Sequence, residues 1–412
     1  MRGTIRDANG PFLARELTRL GLEPSSWIVV GDRPEELERA LASALEADLC
    51  ILSGGLGPTH DDRTIELLAR ATARRLEVDE GLAVEIEATA RRVANRIGRP
   101  YGDLAPGVRK QAALPAGGVS LGLAGTAPAV LLEHDGRVAV ALPGPPGELQ
   151  RLWPNVLAAE PFRRLTARAE RRGHRVLRFF GVPEAAVAEA VAVAGGEREG
   201  LELTVCARNF EIEVDLFFGA DGSGQAEAVS SELVARFGDA LFARDERPVA
   251  EIVLDRLRGQ GLTLAAAESC TGGLLGAMVT AVAGASDVFR GGVVSYADDV
   301  KRGALGVRDE TLASHGAVSA QVAAEMAAGA RQALGADVAV AVTGVAGPGG
   351  GTEEKPVGLV HVHVSAPEAE CARELRLYGG RDEIRTRASV AALHEVRRVL
   401  AHSGTHARDT AT

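Results

Sequence analysis

Four times along this chain a short apolar run empties into a loop rich in glycine or proline, and that recurrence restricts the fold more than any other feature. The runs are residues 49–52, 138–142, 262–267 and 338–343. Runs of this length fit strands buried on both faces, and the helical periodicities between them imply a parallel sheet covered by helices. In such α/β sheets, the loops leaving the carboxyl ends of the strands form the ligand crevice. The four loops are therefore the places to look for chemistry.

The third loop is the richest. After residues 262–267 come Glu268, Ser269, Cys270, Thr271, Gly272 and Gly273, then a helical apolar pattern over 274–282. A strand–turn–helix of this kind sets a side chain beside free backbone N–H groups and the positive end of a helix dipole. That suits an acyl-transfer nucleophile with an oxyanion pocket, an anion-binding loop, or simply a tight turn. Cys270 competes with Ser269, because a thiolate is intrinsically the better nucleophile. The alternative for Cys270 is a small buried hydrophobe.

The first loop, Ser53-Gly-Gly-Leu-Gly-Pro-Thr-His-Asp-Asp-Arg-Thr64, offers Gly54, Gly55 and Gly57 for close backbone approach to a phosphate. Asp61 and Asp62 suit either a divalent metal or the start of the following helix. The second loop, Pro143-Gly-Pro-Pro-Gly-Glu148, ends in a carboxylate that suits a ligand contact or a helix start.

At 412 residues the chain exceeds one ordinary core. Composition shifts near residues 160–174, which are rich in arginine, and a strand–helix–strand–strand–helix pattern follows to residue 237. The expected architecture is two α/β domains (1–165 and 247–402) joined by a small α+β connector (170–245), with a polar tail (403–412). Among the smaller elements, the spacing predicts a strand over 27–30, a capping-box start at Asp32 and a strand over 293–296.

A net charge of −10 disfavours general nucleic-acid binding. Four scattered cysteines with no C-x-x-C pair fit a reducing, cytoplasmic setting. No apolar stretch reaches the ~20 residues of a membrane span, and the polar start is no signal peptide.

Ala267-Glu-Ser-Cys-Thr-Gly-Gly273, Val294-Ser-Tyr296 with Lys301, Thr343-Gly-Val-Ala-Gly-Pro348, Glu353-Glu-Lys-Pro-Val-Gly358 and Gly380-Arg381-Asp382 together resemble the carboxyl-terminal domain of the CinA family. That domain is a nicotinamide-nucleotide amidohydrolase (NMN deamidase) of pyridine nucleotide salvage. The first two loops look like the family's amino-terminal domain, which shares its fold with molybdopterin-binding proteins and is associated with metal-dependent ADP-ribose pyrophosphatase activity. The resemblance implies Ser269 as nucleophile, Lys301 as base and Tyr296 as a proton relay. A lysine base is charged at neutral pH unless burial or a nearby cation prevents it.

For substrate, the candidates are Thr271, Gly272, Gly273, Thr343, Gly344, Gly347, Lys355 and Arg381. The N-terminal site is expected at Gly54, Gly55, Gly57, Thr59, Asp61, Asp62 and Glu148. No cofactor is expected for the deamidase, and a divalent metal at Asp61 and Asp62 for the other domain. Small-molecule nucleotides are the expected partners, and a homodimer the expected assembly. The alternatives are a nucleotide-binding module without turnover, or a non-catalytic partner in competence or recombination.

The chain departs from the family pattern in two ways. The segment Gly3-Thr-Ile-Arg-Asp-Ala-Asn9 starts almost at Met1, so the family's first strand is absent, which implies an upstream start or a crippled amino-terminal domain. Val108 and Ala129 stand where the family has a polar residue and a glycine, which puts the pyrophosphatase in more doubt than the deamidase.

Overall fold

The computed structural model describes residues 7–31, 33–170 and 172–409. The chain divides into two compact units, Met1–Arg172 and Gly173–Thr412.

In the first unit the elements run α1 (Asn9–Arg19), α2 (Pro34–Ala44), β1 (Leu49–Ser53), α3 (Thr64–Ala71), β2 (Leu76–Val78), α4 (Glu80–Ile97), α5 (Ala105–Gln111), β3 (Ala113–Pro115), β4 (Val119–Leu123), β5 (Pro128–His134), β6 (Arg137–Leu142), α6 (Pro146–Ala158) and α7 (Glu160–Thr166). The main sheet has the order β1-β6-β5-β4. β1 and β6 are parallel, whereas β5 runs antiparallel to both β6 and β4. Side chains alternate across it: Leu131 and Val140 pack with Leu149, Trp153 and Phe162 on one face, while Val130 and Ala141 pack with Leu82 and Ile86 on the other.

The second unit opens with a small sheet of β7 (Gly173–Phe180), β8 (Leu201–Arg208), β9 (Glu211–Phe218) and β10 (Leu241–Ala243), in the order β10-β7-β9-β8. Helices α8 (Glu184–Val193) and α9 (Ser223–Phe237) cover one side of it through Val187, Val229 and Leu233.

There follow α10 (Val249–Gln260), β11 (Leu264–Glu268), α11 (Leu274–Thr280), β12 (Phe289–Val294), α12 (Asp298–Leu305), α13 (Asp309–His315), α14 (Ala320–Leu334), β13 (Val338–Gly344), β14 (Leu359–Ser365), β15 (Glu370–Arg376) and α15 (Arg381–Asp409). The five-stranded sheet has the order β12-β11-β13-β14-β15. β12, β11 and β13 are parallel, and β14 and β15 add on antiparallel. Leu264 and Ala266 of β11 face the core of α10, α11 and α15, whereas Ala265 and Ala267 face α12 and α14. This is an α/β fold in which both large sheets are mixed rather than purely parallel.

Residues 27–30 form no strand, and Trp27, Ile28 and Val29 are about half exposed. Among the described residues β1 pairs only with β6, and residues 27–30 add no ladder to its open side. Helix α2 starts at Pro34 without a side-chain cap, and the expected cap at Asp32 lies outside the described residues. β12 ends at Val294, before Ser295 and Tyr296. The tail expected from 403 continues as helix to Asp409. Most of the segment ahead of Asn9 on which the missing-strand expectation rests also lies outside the described residues.

Candidate active site

The carboxyl ends of β11, β12 and β13 meet at Ser269. Beyond the last residue of β11 the ladder continues: Ser269 N–H donates to Val342 O at 2.9 Å, and Ser295 N–H donates to Glu268 O at 2.8 Å. Strand alternation therefore extends through this point. Glu268 falls on the α11 face, Ser269 on the α12–α14 face with Ala265 and Ala267, and Cys270 back in the core of α10, α11 and α15.

Lys301 lies on α12, on that same second face, and is 1% exposed. Its Nζ donates to Asp298 Oδ1 at 3.2 Å, one turn back on the helix. Thr343 extends β13 beside Ser269 and is fully buried, its hydroxyl donating to Ala317 O at 2.7 Å. Ser269, Lys301 and Thr343 thus share one face of the sheet.

Glu268 is 2% exposed. Its Oε2 accepts from Gly273 N–H (2.9 Å) and Leu275 N–H (3.1 Å), and its Oε1 accepts from Gly276 N–H (2.8 Å). The glutamate caps α11 from the end of the preceding strand, so the N–H of Gly273, expected among the substrate contacts, is already engaged. Gly272 N–H donates to Ser269 O at 3.1 Å. The N–H groups of Cys270 and Thr271 have no oxygen acceptor among the described residues. The Thr271 hydroxyl is also buried and unpaired. Burial pushes the Cys270 thiol up to about 12, with the N–H groups of Cys270 and Thr271 pulling weakly the other way. A thiol so held is a protonated hydrophobe.

The remaining candidates sit around the rim. Tyr296 is exposed, and its hydroxyl accepts from Arg381 Nη2 at 2.7 Å, while Arg381 Nη1 donates to Gly347 O at 2.6 Å. Tyr296 therefore bonds to Arg381, and it has no hydrogen bond to Ser269 or Lys301. Gly344 leaves no room for a side chain, since an added Cβ would lie 2.6 Å from Val360. Lys355 is turned away from the rim: its Nζ donates to His315 O, at the carboxyl end of α13, where a cation satisfies a helix terminus.

In the first unit, the loop after β1 comes together with the loop after β6. Asn9 Nδ2 donates to Ser53 Oγ (2.8 Å) and to Gly144 O (2.7 Å), and its Oδ1 is buried without a partner. Gly54 and Gly55 have left-handed backbone, and Thr64 Oγ1 donates to Gly54 O at 2.8 Å. Glu148 packs against Gly125, where an added Cβ would lie 2.4 Å from its Oε1.

Asp61 and Asp62 both turn onto Thr59, whose Oγ1 lies 2.5 Å from one carboxylate and 2.6 Å from the other. The Thr59 hydroxyl holds the Asp61 carboxyl below its ordinary range. Asp62 also fills the space beside Gly57. A hard divalent cation takes about six oxygen ligands. Among the described residues no third His, Cys, Asp or Glu joins this pair. As arranged, the pair braces its own turn through Thr59. Val108 and Ala129 are both buried in cores on opposite faces of the main sheet, so neither side chain is offered to a ligand.

Comparison with known proteins bears on both units. The CinA C-terminal domain matches residues 246–400, and a probable molybdopterin binding domain matches residues 1–162. A CinA-like protein of Mycolicibacterium gilvum is 42% identical, over 98% of this chain and 97% of its own. The chain belongs to the CinA family. A CinA-like protein of Mycobacterium tuberculosis is 38% identical, over 97% of this chain and 95% of its own. Among solved structures, the competence/damage inducible protein CihA from Agrobacterium tumefaciens is 46% identical, covers 37% of this chain and 93% of that one, and has a TM-score of 0.36.

Two participants in this CinA-family site were not read from the sequence. Arg385 donates from Nε (3.2 Å) and Nη2 (2.8 Å) to Thr271 O, fixing the peptide that follows the nucleophile candidates. Its signal is its spacing from Arg381, one helical turn along the same face of α15. Asp298, partner of Lys301, carries no signal beyond its i, i+3 spacing.

Proposed function

We propose that the second unit hydrolyses the carboxamide of nicotinamide mononucleotide, giving nicotinate mononucleotide and ammonia. The reading rests on one arrangement: Ser269 continues β11 and Lys301 lies on α12, both are buried, and the N–H groups of Cys270 and Thr271 beside Ser269 have no oxygen acceptor among the described residues. Ser269 Oγ attacks the amide carbon as its proton passes to Lys301 Nζ, which must first let go of Asp298. The N–H groups of Cys270 and Thr271 receive the developing oxyanion. Lys301 returns the proton to the nitrogen, ammonia departs, and water cleaves the acyl-enzyme along the same path. Arg381, held by Tyr296 and Gly347, is the contact for the nucleotide phosphate.

One observation favours a rival reading, a nucleotide-binding protein without turnover: Lys301 is paired with Asp298 in the resting site. Ammonia release from nicotinamide mononucleotide decides between them. The hydrolase reading expects turnover in the wild type and a loss of at least about a thousandfold in Ser269→Ala and in Lys301→Met. Binding of the nucleotide without ammonia release by the wild type would establish the rival.

A further inference from the structure

The turn between β8 and β9 packs close to the start of α15. β8 and β9 pair in register up to Arg208 and Glu211, leaving Asn209 and Phe210 as a two-residue hairpin loop. Both have positive φ, +53° and +66°. Two-residue loops of this kind favour Asn followed by Gly, because a Cβ crowds the left-handed backbone at the second position. A phenylalanine there is strained, and a strained residue persists where its surroundings use it.

The ring of Phe210 has a defined place. It packs edge-on against Tyr378 (centroids 6.0 Å apart, planes at 80°) and lies against the core of α10, α11 and α15. Arg387 of α15 stacks its guanidinium over Tyr378 at 4.1 Å and approaches Phe210 at 5.7 Å. Arg387 also donates to Tyr378 O and to Glu383 Oε1, and Glu383 Oε2 accepts from Gly380 N–H at 2.8 Å. The next residue is Arg381. Glu211, adjacent to Phe210, adds a second grip on the same helix by bonding His394 at 2.9 Å.

We propose that the Asn209–Phe210 turn is a positioning element of the active site. Phe210 holds the 378–380 turn against Arg387, and so fixes the entry of α15 from which Arg381 reaches Tyr296 and Gly347. This rests on the reading of Arg381 as the phosphate contact, and it gives the small sheet a part in substrate binding.

Phe210→Gly in the full chain is the test, because it removes the ring while improving the turn, so the hairpin itself survives. The expected result is a KM for nicotinamide mononucleotide raised about fivefold with kcat within about twofold. Phe210→Tyr should restore the wild-type KM. In an Arg381→Ala background Phe210→Gly should add nothing, since its effect passes through that arginine. Amide hydrogen exchange over residues 377–385, read without substrate, should accelerate in Phe210→Gly. Unchanged exchange, or a KM effect that persists in the Arg381→Ala background, overturns the proposal. Absence of ammonia release by the wild type would instead remove the deamidase reading and leave the exchange result to judge the positioning role.

Discussion

At the scale of single residues, the question the sequence poses is which of three adjacent nucleophiles is used. Three in a row leave it open, and the ladder bond from Ser269 to Val342 O turns Ser269 and Cys270 to opposite sides of the sheet. Burial pushes the Cys270 thiol up to about 12, so at pH 8 it stays protonated. Iodoacetamide at that pH should leave ammonia release intact and Cys270 unmodified by mass, while labelling exposed Cys206. Inactivation that tracks Cys270 labelling would hand the nucleophile's role to the thiol. Ser269 and Lys301 were legible because they fall in long motifs in a fixed order. The burial of Lys301 was not, since a lysine on a short polar helix reads as solvated. The sequence gives no sign that Arg381, 85 positions on, donates to the Tyr296 hydroxyl.

Elements tell a second story. Helix α11 spans only Leu274–Thr280 and depends on its first turn being satisfied. Glu268→Gln keeps the shape but points an amide NH2 at donors, stranding at least one of the N–H groups now bonded at Gly273, Leu275 and Gly276. A loss of about 1–3 kcal/mol in unfolding free energy is expected, readable by urea titration, with Glu268→Asp intermediate.

On α15, His394 is fully buried, stacked on Phe180 at 3.7 Å and bonded to Glu211. Burial lowers its pKa from 6.5 to about 4, outweighing Glu211, which favours the charged ring, while Arg397 and Arg398 oppose it. The fold therefore prefers the neutral ring. Its contribution is complete above pH 6.5 and lost as pH falls toward 4, up to about 3 kcal/mol. Urea unfolding of the wild type should weaken more across that window than unfolding of His394→Gln. Equal slopes would show that the ring's neutrality is not felt by the fold.

Long periodic helices and apolar strands were readable. The strands at residues 119–134 were not, because a glycine interrupts one and a proline opens the other. Residues 27–30 have strand composition, yet backbone pairing, which composition does not report, decides whether a strand forms.

For the whole molecule, each unit has its own buried cores, and the proposed chemistry uses residues of Gly173–Thr412 alone. A fragment of residues 173–412 should fold cooperatively and keep kcat/KM for nicotinamide mononucleotide within about threefold of the full chain. A fragment of 246–400 lacks Phe180, Glu211 and Phe242, the partners of His394, and should unfold at lower urea. Fold class and family were legible at this scale because motifs recur along nearly the whole chain. The mixed direction of both sheets was not, since an antiparallel strand buried on both faces has the same apolar run as a parallel one.

Helix α15 runs as one piece from Arg381 past His394, about 20 Å at 1.5 Å per residue. With its fulcrum at His394 it is a stiff lever, and a swing of roughly three degrees carries Arg381 about 1 Å, enough to break its bonds to Tyr296 and Gly347.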